Sequence, residues 1–275
     1  MSYIPDPVLR RLREAVDLPD FSGTRYEMEH EIGRGGMGTI YAAMDTQLGR
    51  RVAIKILEEG EEAKVIAGLE HPGIVPVHDA GVLPDGRFYY AMKLVEGMRL
   101  DEVAKGEAGI PERLRLFEKI CETVSFAHSR GVIHRDLKPE NIMVGAFGEA
   151  LIMDWGAGAV VGTPAYMPPE GGPATVLSDV YALGMVLKSL LMAGPPKALS
   201  AIASKAMAAR PEDRYAGVVE MADDIAKFLD SQAVSAYREN AAEKVARWAS
   251  RNSVLLLLIL AYFVVRLALV FLRFV

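Results

Sequence analysis

"HRDLKPEN", residues His134–Asn141, places an acid, a cation and an amide in one short loop: Asp136, Lys138 and Asn141. The loop follows a helical pattern and leads into the apolar run "IMV", so the three side chains are predicted to lie on one rigid turn before a strand. Asp136 can accept a hydroxyl proton, Lys138 supplies positive charge, and Asn141 offers a hard oxygen to a metal ion. Each residue alone also has a structural interpretation as a turn acid or a helix cap, so the prediction depends on its neighbours.

Two further charged residues lie in apolar runs. Asp154 ends the run "LIMDWG", and Lys55 interrupts "RVAIKIL", where an unpaired charge costs several kcal/mol. The pattern "EEAKVIAGLE" predicts a short helix, with Ala63, Ile66 and Ala67 on its buried side. Glu62 on this helix is the predicted ion-pair partner that would hold Lys55 toward phosphates, and an edge lysine reaching to solvent remains the alternative.

The stretch "IGRGGMGTIY" has Gly33, Gly35 and Gly38 in a G-x-G-x-x-G order. A dinucleotide-binding site would require a helix after these glycines, whereas the β-type residues "TIYAAMD" follow them. The glycines therefore predict a hairpin whose backbone N–H groups can approach phosphate oxygens, with a plain glycine turn as the alternative.

Together these clusters predict a phosphoryl-transfer site. Asp136 would accept the hydroxyl proton, Lys138 would stabilise developing charge, and Asn141 with Asp154 would bind Mg²⁺. Strand patterns from Tyr26 to about Glu96 and helical patterns afterwards indicate an α+β fold with a small β-rich lobe and a larger helical lobe.

Composition limits the other possibilities. The 275 residues favour one compact unit with additions, and a net charge of −5 without a basic block argues against nucleic acid as a partner. The single Cys121 excludes an intrachain disulfide, and the opening stretch "MSYIPDPVLRRLREAV" contains no secretory signal. Residues 1–25 are expected to form an extension with a short helix leaning on the domain, and residues 231–252 a linker.

At this point the chain resembles a bacterial eukaryotic-type serine/threonine protein kinase over residues 26–230, with lobes 26–96 and 97–230. The resemblance implies a two-lobed protein kinase fold, ATP with Mg²⁺ or Mn²⁺, and Ser/Thr-containing protein substrates. It implies catalytic roles for Asp136, Lys138, Lys55, Glu62 and Thr163, and metal binding by Asn141 and Asp154. The nucleotide-binding residues that it implies are Ile32, Gly33, Arg34, Gly35, Gly36, Met37, Gly38, Ile40, Ala53, Lys55, Met92, Lys93, Val95 and Met143.

The segment "GTPAYMPPE" is similar to the end of a kinase activation segment. The resemblance implies that Thr163 bonds Asp136 and Lys138, that Glu170 pairs with Arg214, and that Asp179 braces the catalytic loop. Three departures are visible: Trp155 replaces the usual Phe, only six residues separate Lys55 from Glu62, and the helical lobe is abbreviated. A catalytically weak scaffold that binds nucleotide or protein partners is therefore the alternative to an active kinase.

The tail "SVLLLLILAYFVVRLALVFLRFV" is interrupted by a charge only at Arg266 between Val254 and Leu272. As a helix this stretch spans about 28 Å, close to a hydrocarbon core of roughly 30 Å. The expectation is a transmembrane helix over 253–273, followed by no extracellular sensor, with a monotopic or an oligomerising helix as alternatives. Basic residues before the helix predict a single-pass protein of the inner membrane with a cytoplasmic kinase domain, and the helix could also form a homodimer.

Overall fold

In the computed structural model, residues 18–35, 38–57, 61–156, 163–191 and 194–273 are described. Two sheets and a set of helices alternate in the order that the sequence patterns predict. The strands are β1 Tyr26–Gly35, β2 Gly38–Asp45, β3 Arg50–Leu57, β4 Val77–Val82, β5 Phe88–Lys93, β6 Gly97–Arg99, β7 Ile142–Gly145 and β8 Ala150–Ile152. The helices are α1 Glu61–Ala67, α2 Leu100–Val103, α3 Ile110–Ser129, α4 Val176–Leu190, α5 Lys197–Ala206, α6 Val218–Leu229, α7 Ala241–Arg251 and α8 Ser253–Arg273.

The first five strands form an antiparallel sheet in the order β1-β2-β3-β5-β4. Strand β3 is central, and its residues from Val52 to Leu57 are buried because β2 and β5 cover both of its edges. At the β1–β2 turn Gly38 has φ +123°, and a Cβ there would collide with the carbonyl oxygen of Ile56. Only glycine fits this position, so the β1–β2 hairpin can lie directly on β3.

Helix α1 is short, as the spacing between Lys55 and Glu62 predicts. Ala63 and Ile66 are buried, one helical turn apart, and Val65 is half-buried. The prediction that Ala67 is buried is wrong, since this residue is exposed. A helix of seven residues packs a single narrow i, i+3 stripe against its neighbours, and Ala67 lies beside that stripe at the solvent edge.

The helical lobe is built around α4, which the sequence predicts as a central buried helix. Most of its side chains from Asp179 to Leu190 are buried. The helix starts at Val176 because the Thr175 hydroxyl accepts a hydrogen bond from the Ser178 N–H, while the Ser178 hydroxyl bonds the Thr175 N–H. Helices α3, α5 and α6 complete this lobe, and the three-stranded sheet β6-β7-β8 packs against helices α2 and α3.

The predicted helix at residues 253–273 is present as α8, and its apolar side chains, including Leu257, Leu260 and Phe263, are exposed. The predicted membrane crossing is not supported. Over the part of the chain that the structure describes, no helix combines enough length with enough apolar sequence to span a bilayer.

Candidate active site

Lys55 is the buried cation of the site. It is 2% exposed, and its Nζ lies 2.8 Å from Oδ1 of Asp154, which follows β8. The alternative of an edge lysine reaching to solvent is therefore wrong, because β2 and β5 enclose this position from both sides. A buried ammonium requires an anion close by, and Asp154 supplies one across 99 residues of sequence.

Glu62, the predicted partner of Lys55, lies near the start of α1. Its side chain falls outside the described part of the structure. The Lys55–Glu62 ion pair therefore stays a prediction, alongside the observed pair of Lys55 with Asp154.

Asp136 is the centre of a dense hydrogen-bond network. Its Oδ2 accepts from Lys138 Nζ at 2.6 Å and from Asn141 Nδ2 at 3.2 Å. Its Oδ1 accepts from both the backbone N–H and the hydroxyl of Thr163, at 2.8 and 2.9 Å. Lys138 Nζ also donates to the Thr163 hydroxyl at 2.7 Å. Three of the predicted site residues thus converge on the carboxylate of a fourth.

These contacts determine the charge of Asp136. Burial raises the pKa of its carboxyl, but the hydrogen bonds from Lys138 and Thr163 outweigh burial and bring the pKa below its ordinary value. The side chain is therefore a carboxylate at neutral pH. Because its oxygens are held by donors from two separate loops, its position is fixed before any substrate arrives.

His134, a buried residue outside the predicted set, also supports this loop. His134 Nε2 bonds the Met153 carbonyl at 2.9 Å, and its Nδ1 accepts from the Asp136 N–H at 3.3 Å. Burial lowers the pKa of His134, so the ring is neutral, with its proton on Nε2. Its position in the apolar run "VIHR" was the available sequence signal of a buried polar group.

Asp179 also bonds to the catalytic loop, as the resemblance implies. Its Oδ2 accepts from the His134 N–H at 2.9 Å and lies 2.7 Å from His128 Nε2, while its Oδ1 accepts from the Arg135 N–H at 3.1 Å. Arg135 has φ +76°, a conformation that is unfavourable for a residue with a side chain. Asp179 stabilises this strained turn, and His128 is a second participant that the sequence did not reveal.

The predicted nucleotide-binding residues lie on β1, β2, β3, β5, β7 and the segment after β5. Gly33 pairs with Ile40, and Ala53 pairs with Met92, so these residues lie in adjacent strands. A Cβ at Gly33 or Gly35 would meet open space, so no neighbouring atom of the protein requires glycine at these two positions. The same open space leaves the backbone accessible to phosphate oxygens. Gly36 and Met37 fall outside the described residues. The remaining predicted residues on these elements differ in exposure: Ile32, Arg34 and Lys93 are exposed, and Val95 and Met143 are half-buried.

The predicted metal ligands fit a site completed by phosphates. Asn141 uses its amide nitrogen to bond Asp136, which orients its amide oxygen as the remaining hard ligand atom. Asp154 contributes a carboxylate with one oxygen on Lys55. Within the described ranges no group of three or more His, Cys, Asp or Glu side chains could hold a metal ion. Mg²⁺ that binds together with nucleotide phosphates needs only one or two ligands from the protein.

The predicted Glu170–Arg214 pair is also present. The two guanidinium nitrogens of Arg214 donate to the two carboxylate oxygens of Glu170 at 2.8 and 2.5 Å. Arg214 is buried and also donates to the carbonyls of Ala208 and Leu177. The hydrogen bonds from Arg214 lower the pKa of Glu170. This pair attaches the segment that follows Thr163 to the helical lobe.

Comparisons with known proteins agree with this geometry. The sequence profile of the family described as "Protein kinase domain" matches residues 26–233. The serine/threonine-protein kinase PknD of Chlamydia felis is 34% identical over 290 residues, which cover 74% of this chain and 31% of that protein. PknD of Chlamydia muridarum is 33% identical over 299 residues, with 76% and 32% covered. The chain thus spans about a third of the length of these curated relatives.

A solved structure gives the same result. The crystal structure of a double mutant of the Mycobacterium tuberculosis PknI kinase domain superposes with a TM-score of 0.59 at 26% identity, covering 74% of this chain and 95% of that one. The two PknD alignments are longer than the 275 residues of this chain, although they cover about three quarters of it. Those relatives therefore contain insertions in the matching region, which agrees with the abbreviated segments of the sequence.

Proposed function

This chain belongs to the protein kinase family and carries a protein serine/threonine kinase domain, and from this premise we propose that it transfers the γ-phosphoryl group of ATP to Ser or Thr hydroxyls of proteins. The convergence of Lys138, Asn141 and Thr163 on the Asp136 carboxylate carries the proposal. Those four residues, together with the Lys55–Asp154 pair, supply an acceptor for a proton, two cations and two hard-oxygen ligands.

Each residue then has a defined task. Asp136 accepts the proton of the substrate hydroxyl, while that oxygen forms a bond to the γ-phosphorus and the bond to the β–γ bridging oxygen breaks. Lys138 stabilises the charge on the transferred group, and its contact with Thr163 keeps it beside Asp136. Lys55 orients the phosphates of ATP. Asn141 and Asp154 would hold Mg²⁺ or Mn²⁺, which when bound neutralises charge on the phosphate oxygens.

Incorporation of radiolabelled phosphate from ATP into a generic acceptor such as casein tests the proposal. Asp136→Asn should reduce incorporation at least 100-fold, because the amide cannot accept the proton, while nucleotide binding measured by calorimetry persists. The matched control Asp223→Asn changes an exposed carboxylate and should keep wild-type activity. Equal incorporation by wild type and Asp136→Asn would mean that the activity is not this protein's, and the scaffold alternative would then account for the chain.

We further propose that α8 attaches the protein to a lipid bilayer, with the kinase domain on the cytoplasmic side. The exposed apolar side chains of α8 support this proposal, together with the basic residues Lys244 and Arg251 on α7 before it. Arg266, near the middle of α8, donates a hydrogen bond to the Tyr262 hydroxyl one turn earlier, which offsets part of the cost of placing its charge among apolar neighbours.

Fractionation of cells that express the full chain tests the attachment. A wild-type protein that stays in the membrane pellet in high salt and at alkaline pH supports insertion of α8 into the hydrocarbon. Release by salt alone would show a helix lying on the surface, and recovery in the supernatant without treatment would refute attachment. Crosslinking through a cysteine introduced at an exposed α8 position would reveal a homodimer through this helix.

A further inference from the structure

Helix α7, which precedes α8, turns its charged side toward the kinase domain. Glu243 accepts hydrogen bonds from Lys197 Nζ at 3.1 Å and from the Tyr237 hydroxyl at 2.9 Å. Lys197 is the first residue of α5, and Tyr237 packs against the core of the helical lobe. One turn after Glu243, Arg247 donates hydrogen bonds to both carboxylate oxygens of Glu239, at 2.8 and 2.9 Å. These polar contacts of α7 are therefore made with the protein.

The apolar side chains of α7 lie on the opposite side of the helix and are exposed. Ala241, Val245 and Trp248 recur at i, i+4 and i+7, so they form one stripe along the helix. Val245 is 66% exposed and Trp248 is 54% exposed. A helix on the surface of a globular domain usually buries its apolar side and exposes its charges. Helix α7 does the reverse, which indicates that the stripe has a partner other than the kinase domain.

Two cations border this apolar stripe. Lys244 and Arg251 are exposed, and they lie one turn before Trp248 and one turn after it. In the part of the chain that the structure describes, neither of them forms an ion pair. A shallow cavity of about 380 Å³ lies between Trp248 and these cations, and Arg247 also lines it. The charge around this cavity suits an anionic group.

A bilayer with anionic lipids fits both features of this surface. An apolar stripe that contains Trp and is bordered by Lys and Arg is typical of a helix that lies between lipid headgroups and acyl chains. The surface also continues into α8, because Asn252 alone separates the two helices and the apolar side chains of α8 are exposed as well. A bilayer can therefore cover the apolar side chains of both helices at once.

We propose that α7 lies on the surface of a bilayer that contains anionic phospholipids. Val245 and Trp248 enter the boundary between headgroups and acyl chains, while Lys244 and Arg251 bind lipid phosphates. Since Glu243 holds the helical lobe on the other side of α7, the helix also sets which side of the kinase domain faces the bilayer. This inference deepens the proposed attachment of the chain to a bilayer and rests on it.

The fluorescence of Trp248 in the full chain tests the inference. The sequence contains two tryptophans, so Trp155→Phe leaves Trp248 as the only one. Subtracting the spectrum of Trp248→Phe from that of the wild type gives the same signal without a change at Trp155. The protein is reconstituted with vesicles of phosphatidylcholine, alone or mixed with phosphatidylglycerol, and flotation of the vesicles measures attachment.

The expected signal depends on the lipid charge. With phosphatidylglycerol, the emission of Trp248 should shift to shorter wavelength, and brominated acyl chains should quench about half of it. In phosphatidylcholine alone, both effects should be roughly twofold smaller, because the cations lack anionic partners there. High salt should reduce both effects in the same way, since it screens exposed charges.

Substitutions on α7 separate the two parts of the surface. Val245→Asp should abolish the shift and the quenching, because a carboxylate opposes entry of the stripe into the acyl boundary. The matched control Val219→Asp changes a valine of similar exposure, 57%, on α6 and should leave both signals unchanged. Lys244→Gln combined with Arg251→Gln should remove the dependence on phosphatidylglycerol and on salt.

The outcomes distinguish this inference from the attachment itself. Protein that floats with the vesicles, but whose Trp248 emission does not respond to lipid composition, would leave the attachment standing and overturn the role of α7. Protein that floats with neither kind of vesicle would overturn both. Emission that changes with protein concentration in detergent, and not with lipid, would show that a second copy covers the stripe and would also overturn the inference.

Discussion

Replacing Asp179 with Asn should lower catalysis strongly while leaving most of the fold intact. The carboxylate of Asp179 is 1% exposed and accepts hydrogen bonds from the His134 N–H and the Arg135 N–H, and it pairs with His128. An asparagine has one acceptor oxygen and one donor nitrogen in place of two acceptors. If the oxygen faces His134 and His128, the new amide nitrogen faces the N–H of Arg135, and two donors oppose each other.

The magnitude follows from that mismatch. Leaving a buried donor unsatisfied costs about 1–3 kcal/mol, and two such groups face each other in the variant. Arg135 is already strained at φ +76°, so the loop is expected to relax rather than hold its conformation. A penalty of about 2–4 kcal/mol on the active loop corresponds to a loss of roughly 30- to 700-fold in kcat/KM, since about 1.4 kcal/mol changes a population tenfold.

The assay compares kcat/KM for phosphate transfer, ATP affinity and the melting temperature of the same preparations. ATP affinity should change little, because Lys55 and Asp154 lie outside the disturbed loop. Asp223→Asn serves as the exposed carboxylate control. If the activity of Asp179→Asn falls no more than its folded fraction does, or stays at the wild-type level, the argument that Asp179 holds the active loop conformation is refuted.

Three other changes test the remaining parts of the site. Thr163→Val removes the hydroxyl that joins Lys138 and Asp136, and kcat should fall about 10- to 100-fold. The acid limb of the pH–rate profile should also move to higher pH, because the pKa of Asp136 rises when this hydrogen bond is lost. Thr163→Ser keeps the hydroxyl and should restore the rate and the pH profile. Glu170→Gln should lower the melting temperature at neutral pH. The pKa of Glu170 is lowered in the folded state, so the stabilisation by Glu170 is present above the ordinary pKa of 4.5 and is lost at lower pH. The difference in melting temperature between wild type and variant should therefore disappear in acid. A difference that persists there would contradict this account. Lys55→Met should reduce kcat/KM on the order of 100-fold, and undiminished transfer would indicate a purely structural lysine.

Much of the fold was predictable because local patterns and the fold agree. Strands β3 and β5 are largely apolar runs between turn residues, and α4 is apolar nearly all round. The loops at Asp136 and Asp154 stand out because charged residues end apolar runs. Such patterns place a residue on an element, but they do not specify which residue from a distant part of the chain it contacts.

The partner of Lys55 illustrates this limit. The sequence indicates that a lysine in a buried strand needs an anion, and the nearest candidate along the chain was Glu62. The Lys55–Glu62 pair stays a prediction, whereas the contact of Lys55 with Asp154, 99 residues away, had no signal in the local pattern. Ala67 shows the same limit on a smaller scale, since periodicity alone does not tell how wide a stripe a seven-residue helix buries.

The replacement of the usual Phe by Trp155 has a structural explanation that links the two halves of the site. Trp155 is fully buried, its indole N–H donates to the Ile152 carbonyl at 3.1 Å, and its ring lies 4.8 Å from that of His134. The indole N–H that the larger side chain adds therefore finds an acceptor at the end of β8, the strand that Trp155 follows, and is not left unsatisfied.

His134 in turn connects the two loops that hold Asp136 and Asp154. Its Nδ1 accepts from the Asp136 N–H, and its Nε2–H donates to the carbonyl of Met153, the residue before Asp154. Both bonds require a neutral ring, because a second proton on Nδ1 would oppose the Asp136 N–H. Burial lowers the pKa of His134 and so keeps the ring neutral, and the neighbouring Trp155 ring contributes to that burial. The neutral imidazole thereby links the loop of the proton acceptor to the loop of the metal ligand.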